Sequence, residues 1–167
     1  QLIPWFNPGE GAFKVIPGDY VTTEDGTGIV HIAPTFGADD AKVARLAGVP
    51  GLQVVDRNGD LQAQVDLRGR FFRVEDLDPD YAAANMSPEY AEWAGRYVKN
   101  AYDAELPADA PTLDVDICVM LKQQNKAFKV EKHTHNYPHC WRTDKPVLYY
   151  PLNSWFIKTT AVRERMM

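Results

Sequence analysis

Residues 26–40 read GTGIVHIAPTFGADD, and the interpretation of this stretch decides the fold. Gly26 and Gly28 flank Thr27, so backbone can approach a ligand closely there. Ile29, Val30, Ile32 and Ala33 surround His31 with apolar residues and predict a strand over 28–33. Pro34 ends it, and Thr35-Phe36-Gly37 makes a tight turn. Asp39 and Asp40 then enter a helix whose dipole favours carboxylates in its first turn. Such a strand-turn-helix places His31 near the base of a cleft and the two carboxylates at its rim. A carboxylate there suits an ammonium group through a charge-assisted hydrogen bond. A neutral imidazole suits a hydroxyl or a water. A core histidine with two helix-capping acids fits the same spacing, so spacing alone leaves both possibilities open.

Outward from this stretch, the elements are mixed. Upstream, 13–16 reads as a strand, and Asp25-Gly26 is a turn signal. Downstream, Ala41, Val43, Ala44, Leu46 and Ala47 continue the helix until Gly48 and Pro50 stop it. Strands are expected over 52–55 and 61–65, joined by the hairpin turn Arg57-Asn58-Gly59-Asp60. Residues 76–80 read as an acidic loop. Ser87-Pro88 opens a helix to about residue 104, with Tyr90, Trp93, Ala94 and Tyr97 on one face. Thr112 caps a second helix with the stripe Leu113, Ile117, Cys118 and Leu121. Strands over 127–133, 147–150 and 154–159 complete the chain. No regular helical crossovers join the strands, which argues against a doubly wound sheet. An α+β or mainly β, barrel-like arrangement with helical excursions fits better.

The chain has 167 residues, enough for one domain with a core. Its apolar and charged fractions are those of an ordinary globular protein, and no apolar run approaches a membrane span. Cys118 and Cys140 are too few for a disulfide scaffold, so a reducing, cytoplasmic setting is expected. A net charge of −5 argues against unselective nucleic-acid binding. The charge is uneven. Glu75, Asp76, Asp78 and Asp80 are nearly contiguous, whereas Lys122, Lys126, Lys129, Lys132, Arg142 and Lys145 face only Glu131 and Asp144. That basic run is either a solvated face or a local phosphate site. Trp5, Phe6, Tyr149, Tyr150, Trp155 and Phe156 read as core or inter-domain packing.

GTGIVHIAPTFGADD resembles the signature of the editing insertion of isoleucyl-tRNA synthetases. The resemblance continues in DYVTTEDGTG before it and in GRYVKNAY, KVEKHTHNYPHCWRTDKPVLYY and SWFIK after it. Residues 71–88 are the least distinctive part. The resemblance implies an incomplete barrel-like editing domain of the valyl/isoleucyl/leucyl type over residues 1–167, with about 145–167 leading back toward a catalytic domain. It implies hydrolysis of mischarged Val-tRNA(Ile), because one missing methylene discriminates by only about 1–3 kcal/mol. By carry-over, Asp40 would hold the α-ammonium and His31 would orient substrate or water. Gly26, Thr27, Gly28, Pro34, Thr35, Phe36 and Gly37 would line the pocket. The implied partners are tRNA(Ile), Val-tRNA(Ile) and the rest of the synthetase chain, with no membrane. Lys122, Lys126, Lys129, Lys132 and Arg142 would touch tRNA.

Editing needs no cofactor or metal, since positioning and oxyanion stabilisation can suffice for an activated ester. ATP and Mg2+ belong to the parent enzyme's synthetic site, and signatures of the HIGH and KMSKS kinds are absent here. The family's threonine-rich loop with Pro-Trp is also absent, since Thr22-Thr23 precede Glu24. The expectation is that this chain alone is weakly active or inactive. The other class of function is a non-catalytic piece that binds or positions tRNA. His133, His135, His139 and Cys140 form an H-x-H-x3-H-C pattern that could hold zinc. Thr143 stands where many relatives carry a second cysteine, so a polar surface is the expected reading and no metal is assigned.

Overall fold

In the computed structural model, which describes residues 2–24, 26–107, 109–132 and 134–166, an antiparallel hairpin joins two very short strands. Strand β1 (Val54–Val55) pairs with β2 (Leu61–Gln62), Val54 opposite Gln62 and Val55 opposite Leu61. The expected turn closes it. The Asp56 carboxylate accepts the N–H groups of Asn58 and Asp60, and Gly59 adopts φ +82°. A second turn of the same design follows, not foreseen from sequence. Asp66 Oδ1 accepts from Arg68 N and Arg70 N, and Oδ2 meets the Arg70 guanidinium at 3.1 Å.

The described residues hold four α-helices, α1 (Ala38–Leu46), α2 (Pro79–Asn85), α3 (Leu113–Gln123) and α4 (Arg163–Met166). With the hairpin they make an α+β chain. Helix α1 lies where its pattern predicts. Helix α2 corrects the expected acidic loop. Asp78 is its N-cap, accepting from Tyr81 N at 2.7 Å, and Pro79 fills its first position. The Asp-Pro pair carried the same signal as Ser87-Pro88. Helix α3 follows Thr112 as expected, although the Thr112 side chain makes no capping bond.

The helix expected over 88–104 is a 3-10 turn, Pro88–Glu92, opened by Ser87 accepting from Glu89 N. Gly95 then takes φ +80°, and the chain pairs back on itself. Gly95 N donates to Phe71 O, Phe71 N to Arg96 O and Val98 N to Gly69 O. These non-local bonds outweigh local helix propensity. Of the expected apolar face, Tyr90 and Trp93 are buried and Ala94 packs against the core, whereas Tyr97 bridges Arg70 instead.

That core contains Trp5, Phe6, Val54, Leu77, Ala82, Tyr90, Trp93 and Leu113. Aromatic contacts dominate it, with Phe6–Tyr90 at 4.4 Å and Trp5–Trp93 at 5.1 Å between ring centroids. Tyr90 is fully buried and donates its hydroxyl to Phe72 O at 2.6 Å. Residues 5–7 are held by Ser87 N donating to Trp5 O and Asn7 N to Asn85 O. The Arg96 guanidinium lies over the Trp93 ring and pairs with Asp116, tying α3 to this core.

The strands expected over 13–16, 28–33, 127–132, 147–150 and 154–159 are not formed among the described residues; His133 lies outside them, as does the Asp25 half of the Asp25-Gly26 turn signal. β-propensity becomes a strand only where a neighbouring chain segment completes the ladder. Among the described residues not even an isolated bridge falls within these ranges, the His139–Pro146 bridge lying between two of them. The aromatic residues divide accordingly. Trp5 and Phe6 are core, whereas Trp155 is fully exposed and Phe156 and Tyr149 are exposed.

Candidate functional site

Residues 33–40 form a closed local unit. Phe36 N and Gly37 N both donate to Ala33 O, and Ala41 N donates to Gly37 O to begin α1. Gly37 is the N-cap and has no side chain to satisfy the helix's first donors. Asp40 instead reaches backward, its Oδ2 accepting from Ala33 N at 2.9 Å. A Cβ on Gly37 would stand 2.6 Å from that oxygen, so glycine leaves the carboxylate its space. Asp40 Oδ1 has no hydrogen-bond partner among the described residues. Asp40 is half-buried, and Asp39, one position earlier, is exposed in the same first turn.

Thr35 donates its hydroxyl to Leu52 O at 2.6 Å, and Phe36 packs edge-to-face on Tyr150 at 6.4 Å. Sequence alone missed Leu52 and Tyr150, since both reach the turn from other parts of the chain. Burial pushes the Tyr150 phenol pKa up, and the Asp66 charge adds to it.

The remaining predicted residues are more open. Thr27 Oγ1 accepts from Ile29 N at 3.3 Å, a local turn bounded by Gly26 and Gly28 at φ +83° and +75°. A Cβ on Gly28 would meet Thr23 Cγ2 at 2.9 Å. Pro34 is half-buried, and His31 is exposed. No hydrogen bond or ion pair joins His31 to Asp40 among the described residues. The structure thus gathers Ala33, Thr35, Phe36, Gly37 and Asp40 into one unit and leaves His31 exposed outside it.

A groove of about 280 Å³ lies elsewhere, lined by Asp66, Arg68, Tyr102, Pro146, Leu148, Tyr150 and their neighbours. Tyr102 supports it by donating its hydroxyl to Pro146 O at 2.8 Å. Tyr150 therefore borders both this groove and the Phe36 turn.

The basic residues are exposed but partly engaged. Lys126 Nζ donates to Leu2 O, Lys129 pairs with Glu131 at 2.6 Å, and Arg142 lies over the Trp141 ring. Lys122 and Lys132 are exposed. Around Cys140 the chain makes a tight knuckle, Cys140 N donating to Lys145 O and Asp144 N to Cys140 O. Its thiol pKa is lowered, first by a hydrogen bond from the Thr143 side chain and then by backbone bonds. His135 Nδ1 contacts Asn136 O and His139 Nδ1 contacts Tyr137 O. Among the described residues, which exclude His133, no three His, Cys, Asp or Glu side chains gather to hold a metal. Cys118 and Cys140 are free thiols. No described helix is long and apolar enough to cross a membrane.

No family model matches the chain. Its whole length is 65% identical to a stretch of isoleucine–tRNA ligase of Bacteroides fragilis, covering 15% of that protein. It is 66% identical to the corresponding 15% of isoleucine–tRNA ligase of Porphyromonas gingivalis. The likeness persists at 38% identity, over 13% of the protein, with isoleucine–tRNA ligase of Thermoplasma volcanium.

Proposed function

We propose that this chain, which belongs along its whole length to the isoleucine–tRNA ligases, is part of their editing domain and helps hydrolyse mischarged Val-tRNA(Ile). The domain would be the barrel-like type of the valyl, isoleucyl and leucyl enzymes, with this chain contributing a portion and residues 145–167 leading back to the catalytic domain. The observation that carries this reading is the Asp40 carboxylate. One oxygen is fixed by Ala33 N–H and the other has no hydrogen-bond partner among the described residues, at a half-buried position on the first turn of α1.

In this reading Asp40 Oδ1 takes the α-ammonium of the misattached valine. His31, which is exposed, orients the substrate or the attacking water. Residues 26–28 and 34–37 line the pocket with backbone, and the scissile ester needs little beyond positioning and a stabilised oxyanion. The exposed cations Lys122, Lys132 and Arg142, with Lys126 and Lys129, would meet tRNA phosphates. The partners would be tRNA(Ile), Val-tRNA(Ile) and the rest of the ligase, in the cytoplasm. Editing would need no metal, while ATP and Mg2+ would serve the synthetic site of the whole enzyme.

Hydrolysis of Val-tRNA(Ile) by the full-length ligase carrying this segment tests the assignment. Asp40→Ala is expected to slow it at least about a hundredfold. An unchanged rate removes Asp40 from the pocket. The exposure of His31 favours a second reading for the 167 residues alone, in which they bind tRNA without catalysis. The isolated chain is then expected to show little or no turnover, and robust hydrolysis would reject that second reading.

A further inference from the structure

We infer that Thr35 is a positioning residue, setting the place of the Asp40 carboxylate from outside the chemistry; this rests on the reading of residues 26–40 as an editing pocket. The resemblance puts Thr35 among the pocket-lining residues through its backbone, with no role for its hydroxyl. In the fold that hydroxyl is already committed, donated to Leu52 O at 2.6 Å. Leu52 packs against the core and lies two residues before fully buried Val54.

Gly51 eases the approach, since a Cβ there would stand a tight 3.1 Å from Thr35 Oγ1. Among the described residues, no other hydrogen bond joins 33–37 to anything beyond α1. The turn otherwise bonds only to itself, through Phe36 N and Gly37 N to Ala33 O, and to Asp40 and Ala41 of α1. Thr35 is therefore the polar link between the hydrophobic core and the turn that presents Ala33 N–H. That N–H holds Asp40 Oδ2. Without the link, the turn keeps its internal shape but loses its fixed place beside β1, and the Asp40 oxygen that faces substrate moves with it. Small displacements of this kind are costly to positioned catalysis.

A double-mutant cycle in the full-length ligase tests the inference, read as single-turnover hydrolysis of Val-tRNA(Ile). Thr35→Val keeps the side chain's shape and removes the donor. It is expected to slow hydrolysis about tenfold when Asp40 is present. In the Asp40→Ala background the same change is expected to have no further effect, because Thr35 acts through that carboxylate. A merely structural threonine would cost the same factor in both backgrounds. Thr35→Ser, which retains the donor, is expected to stay within about twofold of the unsubstituted enzyme. Equal losses in the two backgrounds, a Thr35→Val enzyme as fast as the original, or a Ser variant as slow as the Val variant each overturn the inference. If Asp40→Ala alone leaves hydrolysis intact, the pocket assignment falls and the inference falls with it. If Asp40→Ala abolishes editing while Thr35→Val is neutral, only the inference falls.

Discussion

The Asp40 carboxylate closes back on Ala33 N–H at 2.9 Å across a space that exists because residue 37 is glycine. This relationship converts a first-turn acid from a generic helix partner into a clamp on the preceding turn.

Gly37→Ala should therefore act on Asp40 more than on the fold. The backbone at Gly37 is extended, φ −90° and ψ 128°, which any residue adopts, so the effect lies in the clash with the Asp40 side chain, Oδ2 at 2.6 Å, Cγ at 2.8 Å and Cβ at 3.1 Å. The carboxylate is the end of a mobile side chain and can swing away. The expected cost is about 1 kcal/mol, the loss of one hydrogen bond. Amide exchange of Ala33 should accelerate while exchange in α3 stays unchanged. Full protection of the Ala33 amide in the variant would show that the clamp tolerates a methyl group.

Tyr90 separates the worth of a buried ring from that of its hydroxyl. The side chain is fully buried against Phe6 and Trp5, and its hydroxyl bonds Phe72 O. Tyr90→Phe should cost about 1 kcal/mol in urea unfolding. Tyr90→Ala should cost about 3–5 kcal/mol through the cavity it leaves. Similar losses for both variants would mean that the hydroxyl, not the packing, governs this part of the core.

Asp56 gives the hairpin a pH dependence of definite sign. Burial raises its pKa, but the bonds from Asp60 N, Gln62 and Asn58 N together outweigh that, and the net shift is downward. A lowered folded value means the contribution is complete above the unfolded value of about 3.9 and is lost as pH falls through the lower folded value. Asp56→Asn removes the titration. The stability difference between the original chain and this variant should therefore be constant near pH 6 and shrink below about pH 4. A difference that grows on acidification contradicts the assignment.

Much of the local structure was legible from short-range chemistry. The Asn58-Gly59 turn, the end of α1 at Gly48 and the start of α3 after Thr112 each depend on neighbours within a few residues. Asp78-Pro79 was equally readable as a helix start and was obscured by the surrounding acids. Residue type and spacing made Asp40 and His31 candidates and the resemblance gave them roles, but neither revealed that one would be half-buried and clamped and the other exposed.

The sequence by itself determined where the Asn58-Gly59 turn, the end of α1 and the start of α3 fall, because dihedral preference and capping are local properties. Only the tertiary structure decided that residues 95–98 pair with 69–71 in place of an expected helix, and that Thr35 is spent on Leu52 and Phe36 on Tyr150. It also decided which β-prone segments remained without a ladder. A backbone donor takes whichever partner the packed chain brings within about 3 Å, and that partner's distance along the sequence plays no part in the choice.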